Sequence, residues 1–203
     1  MARNEQGKGV SLKDELFNKK KVQQLATQFA AADPDFDASL FVRTVMQTLL
    51  SCELKERIGC IADALARQLP EDFKKAATVI VAALPPPLDP TKTDNDFGDF
   101  IYAPLGEYVA RHGNTADHVQ LALQTLREIT QRFSMEDAIR TFLQSYPRET
   151  MEVLRSWVID EQYHVRRLVS EGTRPRLPWS TRLDLPTACL LYTSDAADDV
   201  STV

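Results

Sequence analysis

The densest chemistry in the sequence lies in Val165–Trp179, V-R-R-L-V-S-E-G-T-R-P-R-L-P-W. Arg166, Arg167, Arg174 and Arg176, with Arg182 just beyond, are permanent cations whose planar forks match phosphate oxygens two at a time. Pro175 and Pro178 fix φ and stiffen the loop between them. Trp179 adds a broad π-face. A rigid basic loop with one aromatic suits nucleic acid better than a membrane. The plainer alternative is a solvated arginine face beside a core tryptophan.

Two acids stand out near this block. Glu171 falls at the end of a helical stripe, before Gly172 as a candidate C-cap, where a carboxylate opposes the helix dipole by roughly 0.3–1 kcal/mol. Arg166, Arg167 and Arg174 are placed to compensate it. Glu136 lies in R-F-S-M-E-D-A-I-R, Arg132–Arg140. There Ser134 is a candidate N-cap, with Glu136 and Asp137 in the first turn. Acids that complement the dipole explain that pattern without function. The spacing adds a second reading: Glu136 and Glu171 are about one helix-pair repeat apart. Equivalent ends of neighbouring pairs would bring both carboxylates to one concave rim.

Composition bounds what can hold these groups. With 203 residues, 43% hydrophobic, 26% charged and 8% aromatic, the chain is not a disordered, collagen-like or disulfide-stapled one. No apolar run approaches the ~20 residues of a membrane helix. Cys52, Cys60 and Cys189 form no CxxC pair, which points to a reducing, cytoplasmic setting. His112, His118 and His164 lack metal-ligand spacing, and no P-loop, GxGxxG, GxSxG or zinc pattern occurs. The net charge of −5 is unevenly spread. Residues 162–182 hold five arginines and one acid, whereas 183–203 hold four aspartates and no base. The basic block is a candidate anion-binding patch.

The positioning elements read as helices throughout. Residues 1–10 are polar and expected to be loose. One stripe runs through Leu16, Phe17, Val22, Leu25, Ala26 and Phe29 until Asp33-Pro34 stops it. Asp37 reads as the N-cap of Ala38–Leu50. Further stripes follow at Leu54–Leu69, Phe73–Leu84, Pro104–Arg111, Ala116–Gln131, Met135–Gln144, Arg148–Val158 and Glu161–Ser170. Trp157, in step with Val153 and Leu154, belongs to the core. Residues 85–99, rich in proline, read as a loop or linker between helical layers, with Tyr102 and Tyr108 near it as groove candidates. No period-2 alternation is sustained, so strands are not expected. About four helix pairs of roughly 35–40 residues make an all-α, HEAT-like α-solenoid over residues 11–187, with a concave face for an extended partner. Residues 188–203, with C-L-L-Y-T-S-D-A-A-D-D from Cys189, resemble a translated sequencing adaptor and are expected to be a non-native tail.

Three segments carry a family likeness: E-L-K-E-R-I-G-C-I-A-D-A-L (Glu53–Leu65), Arg132–Arg140 and H-V-R-R-L-V-S-E-G-T-R-P-R-L-P-W (His164–Trp179). Together they resemble the bacterial DNA alkylation repair glycosylases of the AlkC branch, relatives of AlkD, over about residues 15–185. The resemblance implies a HEAT-like solenoid that removes N3-alkylated bases, 3-methyladenine and 3-methylcytosine, from double-stranded DNA. It implies no metal or nucleotide cofactor, and a monomer is expected. It matches Glu136 and Glu171 to active-site carboxylates and Trp179 to an active-site aromatic. Arg166, Arg167, Arg174, Arg176 and Arg182 are then expected to hold phosphates. A third acid of the family comes from a later helix; the chain stops before such a motif, and Asp184 does not replace it by pattern. With no lysine near the Arg132–Arg140 and His164–Trp179 motifs, hydrolysis without strand cleavage is expected. The competing reading is a non-enzymatic helical-repeat scaffold for nucleic acid or protein.

Overall fold

A computed structural model of the chain describes residues 11–91, 97–178, 180, 182 and 183. The described residues form ten α-helices and two 3-10 turns. The helices are α1 (Leu12–Leu16), α2 (Lys19–Ala32), α3 (Ala38–Met46), α4 (Leu54–Ala66), α5 (Phe73–Ala83), α6 (Ala103–His112), α7 (Val119–Thr130), α8 (Glu136–Ser145), α9 (Pro147–Trp157) and α10 (Tyr163–Gly172). Among these residues β pairing is limited to one isolated antiparallel bridge, Gly98 with Phe133. No described helix is long and apolar enough to cross a membrane.

Local chemistry sets the helix starts. Asn18, Asp37 and Asp72 each accept the amide three residues on, capping α2, α3 and α5. The Glu56 carboxylate accepts the Glu53 amide at the start of α4. Prolines occupy the first turns of α6 and α9, where a missing N–H costs nothing. The first apolar stripe is two helices rather than one. The chain breaks at Phe17-Asn18, where the Asn18 side chain both caps α2 and donates to the carbonyls of Asp14 and Glu15. Phe17 remains fully buried, so the hydrophobic pattern alone does not reveal the break.

Above the N-terminal helices the chain alternates between two rows. The pairs α3–α4, α4–α6, α6–α8 and α8–α10 pack successively in one row; α2–α5, α5–α7 and α7–α9 form the other. Helices touch neighbours within their row, and α2–α3, α6–α7, α8–α9 and α9–α10 also pack across the rows, which is the logic of helical repeats. A single core runs the length of the stack, from Phe29 and Phe41 through Ile61, Ile80 and Leu126 to Phe142 and Leu168. Trp157 is buried with Leu154 and partly covered by Val153, as its spacing predicts.

The proline-rich loop, which joins α5 of one row to α6 of the other, is docked rather than free. Arg132 Nε donates to the Pro85 carbonyl at 2.7 Å, and the Leu88 amide donates to the Gln131 carbonyl at 2.8 Å. At the far end the Asp99 amide donates to Arg132 O and the Ser134 amide to Phe97 O, both at 3.1 Å. Gly98 sits at φ +83°, and a Cβ there would lie 1.9 Å from the Arg132 carbonyl, so only glycine fits. The loop is therefore a strap docked on the segment between α7 and α8. Phe100 joins it to the core, ring-to-ring with Phe17 and Phe133. Tyr102 and Tyr108 line no groove: both are buried, Tyr102 bonding the Gln28 side chain and Tyr108 stacking on His112.

Candidate nucleic-acid site

The candidate site lies where α8 meets α10. The two helices run side by side in the same direction. Glu136 of α8 meets Arg167 of α10, and one turn on Arg140 meets the carbonyls of Gly172 and Arg174. Gly172 makes the approach possible. A Cβ there would lie 2.6 Å from Ile139 Cγ2. The glycine serves close packing within the last turn of α10, not the C-cap, which is Thr173.

Glu136 begins α8 but no side chain caps that helix. Ser134 donates its hydroxyl to Glu136 Oε1 at 2.9 Å instead of capping the backbone. Arg167 Nη1 donates to the same carboxylate at 2.5 Å and to Ser134 Oγ at 3.1 Å. The guanidinium of Arg167 also lies over the Phe97 ring, 4.5 Å from its centroid. Both partners are well shielded, with 19% of the Arg167 side chain and 22% of the Glu136 side chain exposed.

Glu171, in the last turn of α10, pairs with Arg174 at 2.8 Å. Its side chain is as shielded as that of Arg167, while Arg174 is largely exposed. The two carboxylates do not occupy equivalent helix ends: Glu136 opens α8 and Glu171 closes α10. Glu171 lies on α10 one turn beyond Arg167, the residue that meets Glu136. The compensation expected from Arg166 and Arg167 falls elsewhere. Arg166 Nη1 donates to the carbonyls of Asp160 and Glu161, and its guanidinium lies near the Tyr163 ring. Arg176 and Arg182 are exposed. Trp179 lies outside the described residues.

Sequence reading missed three contributors. Arg140 is 1% exposed, and it donates to the carbonyls of Gly172, Arg174 and Pro175. Burial lowers its pKa from the usual arginine value, with Asp137 opposing. It thereby ties the loop after α10 to the helix that carries Glu136. Ser180 donates to Asp137 at 2.5 Å, a second tie between that loop and the start of α8. Phe97, on the strap, carries no motif that could have marked it. Among the described residues no group of three or more His, Cys, Asp or Glu could hold a metal ion.

This two-row stack of paired helices is shared with helical-repeat DNA glycosylases. The particular likeness is to the Pseudomonas fluorescens alkylpurine DNA glycosylase AlkC, solved bound to DNA containing an abasic site analog. The TM-score is 0.80 at 29% sequence identity, over 96% of this chain and 52% of that one. An uncharacterized protein of Bacillus subtilis, YhaZ, is 29% identical over 166 residues, 81% of this chain and 43% of its own length. No family model matches the chain. The chain thus spans about half the length of the relatives it matches. The AlkC-type resemblance carried by the three motifs extends to the fold as a whole.

Proposed function

We propose that this chain carries the site of a DNA glycosylase that hydrolyses the N-glycosidic bond of N3-alkylated bases, 3-methyladenine or 3-methylcytosine, in double-stranded DNA. The observation that carries the reading is the pair of shielded carboxylates, Glu136 and Glu171, on parallel neighbouring helices within a fold like that of a glycosylase solved on DNA.

The chemistry suits these groups. An N3-alkylated base is already cationic, so it departs without protonation by a strong acid. What remains is to stabilise an oxocarbenium-like sugar and to orient a water, and carboxylates do both. Trp179 is assigned a cation–π contact with the charged base, worth up to ~2 kcal/mol when desolvated. Arg174, Arg176 and Arg182 are assigned to phosphates. Every lysine of the chain lies at or before Lys92, so no Schiff base forms from the α8–α10 region, and the product is an abasic site in an intact strand. The protein acts as a monomer in the cytoplasm in this reading, over residues 11–187, with 188–203 taking no part.

The test is release of free 3-methyladenine or 3-methylcytosine from methylated duplex DNA by a version extended to the full length of its relatives, measured beside the 203-residue chain, which lacks the family's third acid. Glu136→Gln and Glu171→Gln should each lower release about 10²-fold or more with duplex binding retained. Binding without any release by the full-length version sinks the enzyme reading and leaves a scaffold.

A further inference from the structure

Arg167 sits in the basic block yet does not face outward as Arg174, Arg176 and Arg182 do. We propose that Arg167 is a positioning residue for Glu136, held in place by Ser134 and Phe97, and not a phosphate contact; this deepens the glycosylase reading and rests on it. Its Nη1 is committed to Ser134 Oγ and Glu136 Oε1, and the side chain is four-fifths buried. Arg174, by contrast, has 59% of its side chain exposed.

The surroundings pre-organise the pair from two sides. Ser134 donates to Glu136 from within the same segment, so the carboxylate meets a hydroxyl and a guanidinium together. Phe97 covers the Arg167 guanidinium with its ring. Phe97 in turn is fixed by its backbone: its carbonyl accepts the Ser134 amide, and the following Gly98 is locked against Arg132. The strap, the segment before α8 and α10 therefore converge on one carboxylate. A guanidinium spent in this way has no free edge at Nη1 for a phosphate, and its departure would leave the Glu136 charge half-shielded and unpaired.

The experiment separates the two roles. Binding of undamaged duplex is measured against salt for the chain and for Arg167→Met, together with kcat and KM for release of alkylated base. A positioning residue leaves the log–log salt slope unchanged, lowers kcat about tenfold or more with KM little altered, and is partly rescued by Arg167→Lys. A phosphate contact makes the slope shallower by about one and weakens binding to every duplex; that result overturns the proposal, as does an unchanged kcat. Phe97→Leu is the second variant, should Arg167→Met fail to fold: it should lower kcat with the salt slope intact, and an unchanged kcat again counts against the idea. The salt slope needs no catalysis. Absence of release by the full-length version therefore sinks the glycosylase reading, while a shallower slope sinks the assignment of Arg167.

Discussion

Arg140 is a full cation placed where water does not reach, and it stays because three carbonyls at the end of α10 accept from it. Removing it takes a donor from the buried Gly172 carbonyl and from the part-buried carbonyls of Arg174 and Pro175, of which Pro175 keeps the Leu183 amide. Arg140→Met should cost on the order of 3 kcal/mol in urea unfolding, and an effect below about 1 kcal/mol would show the loop holds itself. The residue types of the site were legible: two acids among arginines, with a tryptophan following. Their pairing was not. Glu171 finds Arg174 within its own helix end, a local match the sequence does expose. Glu136 finds Arg167 across a helix–helix contact, and Arg140 reaches the carbonyls after α10, neither of which a one-dimensional pattern records.

At the level of elements, α2, α3 and α5 announce their starts by side-chain caps and α6 and α9 by proline, whereas α7, α8 and α10 carry no side-chain cap. Asp37 and Asp72 are side-chain caps at α3 and α5, readable from position alone. At α8 the hydroxyl that could cap is diverted to Glu136, which is why the expected Ser134 cap is absent. Asp72 offers a pH test. The Lys75 amide, which it accepts, holds its carboxyl below the usual 3.8. A depressed acid stabilises fully above its unfolded pKa and loses that contribution as pH falls through the folded one. The difference in urea midpoint between the chain and Asp72→Ala should therefore be constant from neutral pH to about 5 and shrink below 3.8. A gap that persists at low pH would assign the effect to packing. The strap escaped sequence reading for a different reason: prolines and acids read as a loop, and nothing local says that a loop is docked. Gly98 is the one residue there that the fold makes irreplaceable.

For the whole molecule, contacts run mainly from each helix to its neighbours, so damage should stay near where it is done. Gly172→Ala forces α10 away from Ile139 of α8, an overpacking of the kind that costs ~1–3 kcal/mol. Amide exchange should then quicken in α8, α9 and α10 while α2 to α5 keep their protection. Uniform loss across all helices would reveal one cooperative unit instead. The repeat rhythm was legible because each helix buries one stripe against the next. Its regularity was overestimated, since the step from α4 to α6 contains the strap and the steps beyond it are shorter.

The strap also has a mechanical meaning. Asp99 is paired with Lys21 of α2, Leu88 and Phe97 are bonded to the segment after α7, and the Leu88 carbonyl accepts from Gln162 at the threshold of α10. A stack held only by adjacent helices bends like a spring, each joint yielding a little. A tie that reaches from the second helix to the tenth works as a cross-brace and stiffens every joint it spans. On the proposed reading, a bound duplex would meet a stiff frame, and any bending would fall on the DNA rather than on the protein.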